Sequence, residues 1–157
     1  PYTYPKYDGV IEFYDHPRSV DRSKSGDFSA YNPEWDFGFG LSFSSFSYQD
    51  ISLSSNELHG NDRLKVSVTV KNNSNRAGKE VVQLYLSDLY ASMIPTGKSL
   101  KRFKKIDIPS NGSETVTFYI SQEDLTFVGM NGDFIVEDGE FKIQIGNQEK
   151  SFTYSKK

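Results

Sequence analysis

From about Phe43 onward the chain alternates apolar and polar residues in short runs, the period-two pattern of strands with one buried and one wet face. Leu64, Val66, Val68 and Val70 alternate with Lys65, Ser67, Thr69 and Lys71. Val82, Leu84 and Leu86 enclose Gln83 and Tyr85, Val116, Phe118 and Ile120 alternate with Thr115, Thr117 and Tyr119, and Phe141, Ile143 and Ile145 are separated by Lys142 and Gln144. Runs over Phe46–Leu53, Ser99–Ile108 and Lys150–Tyr154 bring the expectation to about seven strands. Turn chemistry separates them: a polar stretch from Asn72 to Gly78 with glycine available for positive φ, Ser110 to Gly112 after Pro109, and the pairs Asn131-Gly132 and Asp138-Gly139. Ser121 to Leu125 is expected to form one helical turn, with Ser121 as cap and Asp124 at the third position. The pattern predicts an all-β, immunoglobulin-like sandwich. The cysteine pair and core tryptophan of antibody domains are missing, which favours a fibronectin type III-like version.

Residues 1–41 differ in character. Pro1, Pro5, Pro17 and Pro33 interrupt them, and neither a helical nor a long alternating pattern develops. We read them as an extended arm and linker leaving a preceding domain, with the sandwich over 42–157. The arm is rich in aromatics, from Tyr2, Tyr4 and Tyr7 to Trp35, Phe37 and Phe39, which a disordered linker would lack, so it is expected to pack against something. Gly38 and Gly40 are expected to permit positive φ or close approach, while Phe37, Phe39 and Leu41 supply apolar area for docking two domains. The chain opens at Pro1 without methionine, as a protein entered in its middle would, and reads as a fragment or processed piece.

Composition narrows the function classes. A chain of 157 residues buries roughly 70% of the surface its unfolded form exposes, enough for a core without staples. With no cysteine there is no disulfide, thiolate metal site or cysteine nucleophile. The net charge is -3, and the one basic cluster, Lys98, Lys101, Arg102, Lys104 and Lys105, interleaves with Leu100, Phe103 and Ile106 as in a strand with one solvated face. Nucleic acid is not an expected partner. No apolar run approaches the roughly 18 residues of a membrane helix, and no membrane partner is expected. No phosphate-cradling loop, metal-ligand spacing or nucleophile triad stands out, so neither metal nor cofactor is expected. His59, beside Gly60, reads as a solvated loop residue. Asn72-Asn73-Ser74 and Asn111-Gly112-Ser113 match the glycosylation acceptor pattern and read as exposed loops.

The junction, Phe37-Gly38-Phe39-Gly40-Leu41-Ser42-Phe43-Ser44-Ser45-Phe46, resembles the Phe-Gly-x-Gly-Leu-Ser-Tyr-x-x-Phe signature of family 3 glycoside hydrolases, where it joins an α/β sandwich domain to a C-terminal fibronectin type III-like domain. Further matches follow in order. Gly78 to Tyr85 is similar to the Gly-x-Glu-Val-Val-Gln-Leu-Tyr strand, Leu100 to Lys105 to Leu-x-Gly-Phe-x-Lys, Ser113 to Leu125 to a run ending in Asp-Leu, and Gly139 to Gly146 to the closing hairpin. Pro1 to Pro5 resembles the end of the preceding domain. Three departures, Arg102 for glycine, Asp36 for proline and Asp138 for proline, are expected to alter local backbone only.

The resemblance implies that the whole protein hydrolyses terminal β-linked sugars, β-glucosidase-like, in a periplasmic or secreted location. It also implies that this chain alone is not an enzyme, because the family's catalytic residues lie in domains upstream. A glycosidase needs two carboxyl groups flanking the scissile bond, and Glu123 with Asp124 or Glu137 with Asp138 read as turn residues instead. The expected partners are the catalytic domains of the same enzyme, a homodimer mate and, through the whole enzyme, the carbohydrate substrate. Tyr14, Asp15, His16 and Trp35 are candidates for the outer wall of the substrate cleft. The alternative is an independent carbohydrate-binding or adhesion module, which needs an exposed aromatic platform, with Tyr85, Tyr90 and Tyr119 as candidates. Trp35, the only tryptophan, sits at the junction and counts against it.

Overall fold

The structure is a computed structural model that describes residues 38–90 and 98–157. The alternating runs become strands β1 (Phe46–Leu53), β2 (Glu57–His59), β3 (Arg63–Asn72), β4 (Gly78–Asp88), β5 (Ser99–Ile108) and β6 (Ser113–Ser121). A single 3₁₀ turn, Gln122–Leu125, leads to β7 (Phe127–Val128), β8 (Phe134–Ile135), β9 (Gly139–Ile145) and β10 (Gln148–Ser155). Two sheets face each other, one ordered β1-β3-β6 and the other β2-β10-β9-β4-β5, with β7 and β8 as a separate ribbon. All pairings are antiparallel except β2 with β10. The expected all-β sandwich is the observed fold.

The inward-facing residues of both sheets form one core. Val66, Val68, Val70, Val116 and Ile120 from the first sheet meet Val82, Leu84, Ile143 and Ile145 from the second, all of them fully buried. Phe141 and Phe152, opposite each other on β9 and β10, stack with ring centroids 5.7 Å apart. Strand β1 keeps its face toward this core through a bulge. Gln49 pairs with Thr69 and Ser52 with Ser67, so Asp50 and Ile51 together oppose one residue, and Asp50 takes a φ of 55°. The extra residue resets the alternation and brings Ile51 and Leu53 inward after Phe46 and Tyr48.

Tyr48 spans the two sheets. Its ring lies against Gly146, where a Cβ would overlap it, and its hydroxyl donates to Glu80 Oε1 at 2.6 Å. Burial, and then the hydrogen bond and charge of Glu80, push this phenol well above its usual value near 10. A raised folded-state pKa gives stability that is complete below pH 10 and lost as the pH rises further, because only the unfolded chain releases the proton there. Tyr154, raised by burial and by Asp138, acts in the same direction. Tyr48→Phe is therefore expected to cost about 1 kcal/mol at pH 7 and to flatten part of the alkaline loss, as read by urea midpoints from pH 7 to 11.

The polar stretch after β3 is not the plain exposed loop its composition suggests. Asn72 is fully buried. Its Nδ2 donates to the carbonyls of Arg76 (2.8 Å), Ile108 (3.1 Å) and Pro109 (3.2 Å), and its Oδ1 accepts from Ser74 N at 2.9 Å. Asn72 thus ties the β3–β4 loop to the β5–β6 loop, and the acceptor-pattern match there is a structural asparagine. Asn111 is exposed, with φ 54°. Gly78 does not use positive φ; it is needed because a Cβ would overlap Ser44 and Phe46. His59, expected in a loop, ends strand β2, with Nδ1 3.0 Å from Lys157 O and Nε2 3.2 Å from Glu57 Oε2.

Arg102 does more than alter local backbone. The pairing of β5 with β4 skips a residue at Lys101, a bulge that follows Leu84 opposite Arg102 and precedes Tyr85 opposite Leu100. Arg102 then shares the face of buried Leu84 and grips Asp124 with both guanidinium nitrogens at 2.8 Å. Asp124 Oδ2 also accepts from Ser121 N at 3.0 Å, so the expected capped turn is present and locked to the opposite sheet.

Candidate functional site

The outward row of β4 is Val81, Gln83 and Tyr85, and the register sets Lys105, Phe103 and Leu100 of β5 beside them. The junction segment lies across this row. Gly38 is pinned first: Gln83 Nε2 donates to Gly38 O at 3.3 Å, and the Tyr85 hydroxyl donates to Gln83 Oε1. Gly38 has φ 83°, and a Cβ there would overlap both Gln83 Oε1 and the Tyr85 hydroxyl. Lys98 Nζ covers the Tyr85 ring at 4.8 Å from its centroid. The far end is pinned by serines, with Ser44 N donating to Ser42 Oγ at 3.1 Å and Ser45 N to Ser74 Oγ at 2.8 Å.

Between these anchors the chain presents side chains outward. Leu41 is 89% exposed and Phe43 93%; Phe103 of β5, which lines the same groove as Leu41, is 70% exposed. A groove of about 530 Å³ runs between the segment and the sheet, lined by Phe39, Leu41, Val81, Leu100 and Phe103. Gly40 also lines it, yet departs from expectation. It has no positive φ, and no atom of the described residues lies within 4 Å of where a Cβ would stand.

That contrast yields a prediction. Gly38→Ala is expected to cost about 1–3 kcal/mol through φ strain and overlap, whereas Gly40→Ala should stay within about 0.5 kcal/mol of the parent chain. Urea midpoints at unchanged slope measure both.

The face is chemically plain. Among the described residues Glu80 is the one carboxylate lining the groove, and it already accepts a hydrogen bond from Tyr48. Burial holds the Lys101 ammonium below the usual lysine range, with Asp124 opposing and Arg102 assisting. Asp124 is committed to Arg102 and Ser121. Burial also raises the Asp88 carboxyl, opposed by the Tyr90 N–H and assisted by Glu137. Among the described residues no cluster of His, Asp and Glu could hold a metal ion.

Of the residues expected to matter, Gly38, Phe39, Gly40 and Leu41 come together here, while Tyr14, Asp15, His16, Trp35 and Phe37 lie outside the described residues. Tyr85 is buried and so is not a platform residue; Tyr119 and Tyr90 are exposed but lie on different sheets, in β6 and just past β4. Sequence reasoning missed Val81 and Phe103 as members of the face. The available signal was phase: Val81 follows the outward positions of β4, and Phe103 is out of step with the inward Ile106 and Ile108.

Residues 80–149 match the model of the fibronectin type III-like domain family. The chain is 37% identical over 152 residues to a putative β-xylosidase of Formosa agariphila, covering 97% of this chain and 20% of that protein. It is 38% identical to thermostable β-glucosidase B of Acetivibrio thermocellus, over 79% of this chain and 17% of that protein. The chain spans about a fifth of the length of the curated relatives it matches. A solved β-glucosidase from Erythrobacter marinus superposes with a TM-score of 0.83 at 34% identity, covering 92% of this chain and 20% of that one. That of Listeria innocua in complex with glucose gives 0.80 at 30%, covering 91% and 22%. Fold, ordered motifs and relatives agree: this chain belongs to the fibronectin type III-like region of the family 3 glycoside hydrolases.

Proposed function

We propose that this chain is the non-catalytic, C-terminal part of a β-glucosidase-like hydrolase, and that it stabilises the catalytic domains by docking on them through the junction and the outer face of β4 and β5. The observation that carries this reading is the groove that exposed Phe39, Leu41 and Phe103 share with Gly40, with exposed Phe43 two residues past Leu41, in a chain whose relatives are several times longer. Apolar surface of this kind costs free energy in water and gains it on burial against a partner domain. The division at residues 41 and 42 and a role for Tyr14, Asp15, His16 and Trp35 at the cleft belong to the same reading. A periplasmic or secreted location is supported by relatives named as a periplasmic β-glucosidase of Salmonella typhimurium and a lysosomal one of Dictyostelium discoideum.

In the complete protein, Leu41→Glu combined with Phe103→Glu is expected to leave the sandwich folded while shortening the half-life of β-glucosidase activity on mild heating by about tenfold or more. Unchanged half-life and activity would remove the docking reading. His16→Ala and Trp35→Ala, assayed for substrate preference, test the cleft assignment in the same protein.

A further inference from the structure

The two sheets are unequal, with three strands facing five, and the difference leaves a position open beside β6. β6 pairs with β3 along its whole length, from Ser113 opposite Lys71 to Ser121 opposite Arg63, and with no other strand among the described residues. An edge strand offers a row of backbone donors and acceptors, and native proteins protect such rows with bulges, basic residues, proline or short length. The other edges follow that rule: β1 is bulged at Asp50, β2 has three residues, and β5 carries a bulge with Lys101, Arg102, Lys104 and Lys105. β6 has none of these features; its nine residues, SETVTFYIS, include no proline and no basic residue.

What lies opposite the open position has a definite charge. Arg102 and Lys104 share the face of Leu84 and Val82, so they point toward the plane of the smaller sheet. Val82 and Leu84 are fully buried beneath that sheet, yet Lys104, on the edge strand β5, is exposed; among the described strands the smaller sheet ends at β6. Arg102 has found Asp124; among the described residues Lys104 has no carboxylate partner, the ion pairs there being His59–Glu57, Lys79–Asp107, Arg102–Asp124 and Lys142–Glu149. A strand added to β6 would lie over Lys104, with alternate side chains directed at it.

We infer that this position takes an extended, acidic segment of a partner polypeptide as a fourth strand. Main-chain pairing along β6 supplies the affinity, and inward carboxylates facing Lys104 set the charge preference. On its outer face the segment meets Thr115, Thr117 and Tyr119, whose polar row already continues across to β3 through Ser67–Thr117 at 3.1 Å and Thr69–Thr115 at 3.3 Å.

The test is hydrogen–deuterium exchange of the complete protein with a capped nine-residue peptide of alternating threonine and glutamate, and with its threonine–lysine counterpart. Exchange over residues 113–121 is expected to slow by roughly tenfold with the acidic peptide only, and Lys104→Glu, on the surface, should abolish the effect while Lys150→Glu on β10 preserves it. No protection at β6, equal protection by both peptides, or protection at β6 from self-association without peptide would each overturn the inference.

Discussion

Asn72→Asp is expected to lower the stability of the chain by about 3 kcal/mol or more, the largest effect of any single polar substitution in the sandwich. The change replaces an amide that donates to three carbonyl oxygens with a carboxylate that repels them. The site is fully buried, so water cannot screen the clash, and the Ile108 and Pro109 carbonyls lose their side-chain donor together. Asn72→Ala removes the repulsion but leaves the same carbonyls and the Ser74 N–H short of a partner, so its cost should fall between that of the parent and that of the aspartate variant. Urea denaturation with a constant slope reads both values. A glycan at Asn72 is incompatible with this geometry, since Nδ2 is spent inside the fold.

Arg102→Gly, which restores the residue usual in the family, is expected to destabilise this protein by about 2 kcal/mol. Asp124 has a side chain only 9% exposed, and without the guanidinium its charge keeps a single backbone N–H as partner. Part of the guanidinium is solvated, which keeps the expected loss below that of a wholly buried pair. A double-mutant cycle with Asp124→Asn separates the pair from the lost packing of the arginine stem: a coupling energy near zero would show that the pair contributes nothing beyond its separate parts.

These two residues show where the sequence was and was not legible. The bounds of β1 and β5 match the expected runs to the residue, and those of β3, β4, β6, β9 and β10 match within a few positions, because one buried face imposes period two over most of each strand. The bulge at Asp50 was hidden, since it resets the phase without any glycine to mark it. Strand β2 was missed because three residues make no pattern and its partner, β10, lies nearly a hundred positions away. Asn72 looks the same in sequence whether it caps a solvated turn or binds three buried carbonyls. Arg102 reads as one more basic residue on a wet face until the register turns it inward toward Asp124.

The site was legible in part. The Phe-Gly-x-Gly-Leu-Ser string marked the junction, and Gly38 has the physical reason expected of it. Gly40 has no such reason among the described residues. The apolar face itself extends to Val81 and Phe103, residues that only the strand register gathers onto one side.

The measurement that tests the central claim most directly is hydroxyl-radical footprinting of the complete protein, with Tyr119 as internal reference. Alone, Leu41, Phe43 and Phe103 are 89%, 93% and 70% exposed and Tyr119 is 52% exposed. Docking predicts that the first three are labelled several-fold less than Tyr119 in the complete protein, and that Phe43 regains its labelling when Leu41→Glu and Phe103→Glu are introduced together. Labelling of all three in proportion to those exposures would contradict the account.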